Sequence, residues 1–142
     1  MRDANLEQLD AHKNYMPEVV DRRCRFIIQE NQRVLDMAEA LAEPDYDQIG
    51  WLTGESFAGA RDLYQISCTE MDKMFEAMTS GPGVIGARQA GAGFGGCMVA
   101  FVHKESLDAF SQHVHEHYLA STGIESKIYP VVASSGAGIL AL

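Results

Sequence analysis

Seven of the thirteen glycines in this sequence fall between Gly81 and Gly96, so the unusual backbone is concentrated in one segment. Glycine enters positive φ without the Cβ clash that other residues suffer. The segment is bracketed by two short apolar runs of strand type, Val84-Ile85-Gly86-Ala87-Arg88-Gln89 before it and Cys97-Met98-Val99-Ala100-Phe101-Val102 after it. The pattern predicts strand, tight loop, strand. Gly91-x-Gly93-x-x-Gly96 has the spacing of a dinucleotide-binding fingerprint. That fingerprint needs a helix after the glycines, so that a pyrophosphate meets a helix N-terminus. A β-type run follows here, and the match is accidental. A Walker phosphate loop fails as well, because no Gly-Lys-Ser/Thr closes the segment. What remains is a surface made by Gly91, Ala92, Gly93, Phe94, Gly95 and Gly96, where backbone free of side chains lets a ligand or another loop come close. The competing account is a plain turn between two strands.

Helical periodicity surrounds this element. Val20, Cys24, Ile27, Ile28, Leu35, Ala38 and Leu41 recur at threes and fours, with Arg22, Arg23, Arg25, Glu30, Arg33 and Asp36 in the gaps. This predicts a long amphipathic helix whose apolar stripe faces the core, bounded by Pro17 and Pro44. Ile49, Leu52, Phe57 and Ala60 mark a second helix, weakened by Gly50, Gly54 and Gly59. Ser67-Cys68-Thr69-Glu70 has the form of a capping box opening a third. Met71, Met74, Phe75 and Met78 then form one stripe, which core packing explains more simply than a methionine-rich docking groove. Leu107, Phe110, Val114 and Tyr118 mark a fourth helix. Lys127 to Val132 reads as a third strand, held toward a sheet edge by Pro130. The fold class is therefore α+β, with a small antiparallel sheet and helices packed on one face.

A chain of 142 residues makes one domain spanning residues 1–142 and can bury roughly 68–70% of its unfolded surface. Its 46% hydrophobic and 22% charged residues exclude a disordered chain. A net charge of −9 repels polyanions and anionic head groups, which argues against nucleic-acid and membrane-surface roles. No apolar run approaches the roughly 20 residues needed to span a bilayer, and the first residues carry no secretory signal. Cys24, Cys68 and Cys97 are odd in number and widely spaced. They read as reduced, mostly buried thiols of a cytoplasmic protein.

Residue types alone give no complete active site. His113 and His117 share a helix face at i, i+4, a spacing at which two imidazoles can hold a metal, but no acidic or cysteine partner has matching spacing. No metal site is therefore assigned. Neither a nucleophile elbow nor a paired-carboxylate pattern is present.

Gly86-Ala87-Arg88-Gln89-Ala90-Gly91-Ala92-Gly93-Phe94-Gly95-Gly96-Cys97 resembles the third conserved motif of galactokinases, members of the GHMP small-molecule kinases. Other stretches follow in that family's order. Arg22-Arg23-Cys24-Arg25 with Glu30 to Leu35 resembles the long helix of the C-terminal domain. Glu55-Ser56, Arg61-Asp62-x-Tyr64-x-Ile66-Ser67-Cys68 and Glu70-Met71-Asp72 resemble the next block, and Ser135-Gly136-Ala137 the closing turn. Phe57 stands where a histidine is common, Gly59-Ala60 replace Ser-Leu, and Gln89-Ala90 replace Met-Thr. These departures bear on the sugar, since relatives acting on galacturonate or N-acetylgalactosamine share much of the pattern.

The resemblance implies a ferredoxin-like GHMP C-terminal domain and, for the complete enzyme, transfer of the γ-phosphoryl of Mg2+-ATP to the anomeric hydroxyl of galactose. The family's sugar signature, phosphate loop and reacting-site Asp and Arg lie in an N-terminal domain that this sequence does not contain. The expectation is thus a truncated kinase, inactive alone, that binds no cofactor itself and supplies only the Gly91–Gly96 loop to the cleft. Its partners would be that N-terminal domain or, through exposed apolar surface, a second copy in a homodimer. The alternative is a free-standing sugar- or protein-binding regulatory domain derived from the same fold.

Overall fold

A computed structural model describes residues 3–91, 93–134, 136 and 138. Asn5 opens the first helix, α1 (Leu6–His12), with a capping box: its side chain accepts from the Gln8 N–H at 2.8 Å, and the Gln8 side chain accepts from the Asn5 N–H at 3.1 Å. After Pro17 runs α2 (Glu18–Ala42), of 25 residues. The helix forms as expected, but its inward face is not the expected one. Phe26 and Ala40 are buried, while Val34, Leu35 and Leu41 are 61%, 60% and 48% exposed. Glu30 and Arg33 lie on the inner side with Phe26, Met37 and Ala40. The charges can turn inward because they bond one another, although Arg33 Nη2 stays buried without a hydrogen-bond partner. Arg33 Nε donates to Glu30 Oε2 at 2.7 Å, and Ser56 Oγ donates to Glu30 Oε1 at 2.5 Å.

Asp45 caps α3 (Tyr46–Gly59) by accepting from the Gln48 N–H at 2.9 Å. The glycines that weaken this helix in isolation are what let it pack. A Cβ on Gly50 would collide with the Ile85 carbonyl oxygen, and one on Gly59 with the Phe26 ring. Thr53, fully buried in the same interface, donates its hydroxyl to the Ile49 and Gly50 carbonyls, each at 2.9 Å. A π turn (Ala60–Tyr64) continues α3 and leads to α4 (Thr69–Thr79). The expected capping box of α4 is absent: the N-cap is Cys68, and Ser67 Oγ donates instead to Asp72 Oδ1 at 2.6 Å. The Ser67/Glu70 pair is one residue out of register with the helix start.

The sheet consists of β1 (Val84–Ala90) and β2 (Cys97–Val102), antiparallel, pairing from Gly86↔Phe101 to Ala90↔Cys97, with a bulge between Val84 and Gly86. Ala87 packs with Met98 and Ala100 of β2 against Ala77 and Met78 of α4 and Phe110, Val114 and Tyr118 of α5 (Leu107–Thr122). These α5 residues are those picked out by its spacing. Phe57 and Phe75 stack at 3.9 Å and join α3 to α4. Among the described residues the sheet has two strands. The expected third, Lys127 to Val132, carries no ladder, and Tyr129, Val131 and Val132 are 74%, 84% and 88% exposed. Pro130 has no N–H to give a ladder, and of the apolar side chains in this segment Ile128 is the one packed against the core. The cysteines are also more open than expected. Cys24 and Cys68 are half-buried, and Cys97 is exposed because it begins β2 at the loop end of the hairpin. No described helix is long and apolar enough to cross a membrane.

Gly86→Ala should destabilise the chain by about 1–3 kcal/mol, because its Cβ would overlap Thr53 Oγ1 and the Gly50 backbone. Gly54→Ala, in the same interface region but with open space around the added carbon, should stabilise by about 1 kcal/mol through helix propensity alone. Urea unfolding of the two variants checks both signs.

Candidate functional site

The strand–loop–strand element expected from the glycines is present, and β2 rather than a helix follows it. The loop backbone is left-handed almost throughout: φ is +86° at Gly91, +88° at Gly93, +56° at Phe94, +121° at Gly95 and +101° at Gly96. Ala92 lies outside the described residues. A run of positive φ reverses the chain within six residues and keeps Cβ atoms away from one side. Around Gly91, Gly95 and Gly96 an added Cβ would meet nothing within 4 Å. Backbone there is approachable, as the spacing implied.

Tertiary contacts decide where this surface sits. The Phe94 N–H donates to the Ile66 carbonyl oxygen at 2.7 Å, and the Gly95 N–H to Met71 Sδ at 3.2 Å. A Cβ on Gly93 would collide with the same Ile66 oxygen. The loop therefore rests on the segment between the π turn and α4. Two of its amides are committed to that contact and cannot also serve a ligand. Phe94, by contrast, presents a ring that is 72% exposed. The methionine stripe is core, since Met71 and Met78 are buried, and Met71 has the added task of receiving the loop.

Residue patterns did not single out Gln65, and Ile66 enters the sequence reading only inside the Arg61–Cys68 block that resembles the family. Gln65 ends the π turn with φ +63°, the other non-glycine residue with positive φ besides Phe94 among the described residues. A π turn comes from packing rather than from a residue signature. Beside it, Arg61 Nε and Nη2 donate to both oxygens of Asp62 at 2.7 and 3.0 Å. That bond holds the Asp62 carboxyl below its usual value and raises Arg61 above its own, against a smaller opposing effect of burial. Both side chains are about half exposed, so water screens the pair and it adds little stability.

Arg88 links the loop end of β1 to the inner charges of α2. Its Nη2 lies 3.7 Å from Glu30 Oε1, at the edge of a cleft of about 250 Å³ that Glu30, Arg33, Ser56 and Arg88 share with Val34, Met37 and Leu52. Two guanidiniums and one carboxylate leave that spot locally cationic in an acidic protein.

The paired histidines do not converge on a point. The His113 and His117 rings stack at 3.8 Å, His117 Nδ1 lies 2.9 Å from the His113 carbonyl oxygen, and His113 Nε2 lies 3.0 Å from Ser80 Oγ. Among the described residues no three His, Cys, Asp or Glu side chains are placed to share a metal ion. Of the closing turn Ser135-Gly136-Ala137, the outer two residues lie outside the described residues.

Comparison with known proteins follows the same lines. The model of the family described as GHMP kinases C terminal matches residues 37–120. A galactokinase of Roseiflexus sp. (strain RS-1) is 38% identical over 97% of this chain, and one of Bos taurus is 37% identical over 99% of it. Each match covers 35% of the relative, so the chain spans about a third of the length of these proteins. The crystal structure of Lactococcus lactis galactokinase complexed with galactose superposes with a TM-score of 0.80 at 31% identity, covering 87% of this chain and 32% of that one.

Gly91→Ala and Gly93→Ala start from nearly equal φ but differ in surroundings. Each should cost about 1–2 kcal/mol for the left-handed backbone, and Gly93→Ala about 1–3 kcal/mol more for the overlap with Ile66. Denaturant midpoints of the two variants measured side by side check the difference.

Proposed function

The chain belongs to the GHMP kinase C-terminal family, and from that premise we propose that it is the C-terminal domain of a galactokinase-type sugar kinase. The complete enzyme transfers the γ-phosphoryl of ATP to the anomeric hydroxyl of galactose, releasing ADP and giving galactose 1-phosphate, in the cytoplasm. The single observation that supports this best is the glycine loop. Its motif lies inside a match running along nearly the whole chain, and the loop leaves open space for a Cβ at Gly91, Gly95 and Gly96 while the Phe94 and Gly95 amides pin it to the domain.

The loop's part in such a reaction is positional. Phosphoryl transfer depends on alignment and on stabilising negative charge spread over the transferred group. The open space beside Gly91, Gly95 and Gly96 lets phosphates, or a second loop that holds them, approach within van der Waals distance. Among the described residues no three His, Cys, Asp or Glu side chains group to hold a metal ion, and this reading assigns Mg2+ to the rest of the kinase. The net charge of −9 also opposes nucleotide binding by the chain alone. The residues that hold the ion, neutralise phosphate and act on the sugar hydroxyl belong to the rest of the kinase, and the chain alone is inactive.

The test replaces the matching third of the Roseiflexus galactokinase with this chain and measures galactose-dependent ADP release. The joined protein should turn over and the 142-residue chain should not. Gly93→Asp, whose Cβ meets the Ile66 carbonyl oxygen and pushes the loop off its support, and Gly95→Val, whose side chain enters the open space beside the loop, should each lower kcat about a hundredfold in the joined protein. Full activity in both variants would reduce the loop to a turn. Saturable galactose binding by the chain alone would favour the free-standing binding domain.

A further inference from the structure

The glycine loop does not place itself. Its firmest tether is the 2.7 Å bond from the Phe94 N–H to the Ile66 carbonyl, reinforced by the absence of a Cβ at Gly93 directly over that oxygen. The direction of this carbonyl is set by the two residues before it and by the turn they close. Ala60, buried at the end of α3, accepts from the N–H groups of both Gln65 and Ile66. Tyr64 packs on the buried Phe26 ring of α2 at 5.2 Å. The turn is thus fixed on both sides, and Gln65 is held at φ +63° between them.

A left-handed non-glycine residue is strained, and it persists only where its surroundings over-determine it. Gln65 is exposed, and its side chain makes one long contact, accepting from Arg22 Nη2 at 3.5 Å. Nothing in that side chain compensates the strain; its backbone conformation is what the site uses. With Gln65 left-handed, the chain leaves the π turn so that the Ile66 carbonyl faces the loop rather than solvent.

We propose that Gln65 is a positioning residue, whose left-handed backbone at the end of the π turn aims the Ile66 carbonyl at Phe94 and thereby sets the placement of the glycine loop. Its consequence for turnover rests on the function proposed above for that loop. The placement itself does not.

The test is a conformational series on the 142-residue chain: Gln65→Gly and Gln65→Asn, which tolerate positive φ, and Gln65→Ala, which removes the side chain at the same Cβ cost and should match the wild type, against the β-branched Gln65→Val and Gln65→Thr, which resist positive φ. Amide hydrogen exchange followed by NMR reads the Phe94 N–H, with the core amide of Ala87 as reference. Gln65→Val should lower protection at Phe94 about tenfold while Ala87 stays protected, whereas Gly and Asn should leave Phe94 unchanged. If Gln65→Val fails to fold, the β-branched Gln65→Thr gives the same contrast. Unchanged protection at Phe94 in both Val and Thr, or a loss in Gly or Ala equal to that in Val, overturns the proposal, the second because it would assign the effect to the lost side chain. In the joined Roseiflexus protein, Gln65→Val should lower kcat with KM for galactose unchanged, and Gln65→Gly should restore it. Loosened exchange with unaltered kcat would leave the positioning intact and remove the loop from turnover, so the two readings fail separately.

Discussion

Everything near the loop depends on how closely α3 lies on β1. Gly50 and Gly86 meet backbone to backbone, and Thr53 fills the seam with a hydroxyl already satisfied by its own helix. No side chain separates helix from strand, so the strand that ends in the glycine loop is held directly by the helix that ends in the π turn. One rigid seam therefore fixes both halves of the loop's support. Widening it by a methylene would shift β1 and the turn relative to each other, and the Phe94 to Ile66 bond has little slack to absorb that shift.

The second constraint is electrostatic. Glu30 sits between α2 and α3, with Arg33 and Ser56 donating to its carboxylate and Arg88 beside it. A carboxylate in such a place is tolerated because each of its oxygens accepts a hydrogen bond, and removing one donor would leave one oxygen unpaired. The arrangement ties the long helix to α3 and to the loop end of β1. It also accounts for the apolar residues left on the outside of α2: the inner side is taken by charges that pair, and Val34 and Leu35 remain at the surface.

Much of the architecture was legible because it follows from local chemistry. The glycine cluster between two apolar runs required a hairpin-like element, and Phe110, Val114 and Tyr118 marked the buried side of α5 by spacing alone. The same logic failed where polarity and burial part company. Periodicity assigned Glu30 and Arg33 to solvent, since spacing cannot show that two charges will find each other and a serine 26 positions away. It placed the α4 cap one residue early, and it made a strand of Lys127 to Val132, where local propensity was present but no partner strand stood beside it among the described residues.

The sequence by itself determined that the chain could turn left-handed at Gly91, Gly93, Gly95 and Gly96, because only glycine occupies that region cheaply. It determined the α+β class and, through the order of its motifs, the family. Where the loop points was decided by tertiary structure alone. That direction comes from a carbonyl at Ile66, a π turn with no residue signature and a strained Gln65, none of which is encoded near the loop. A glycine segment specifies the freedom to adopt a shape. The neighbours that remove this freedom come from 24 or more positions away, and they act only once α3, α4 and β1 have packed.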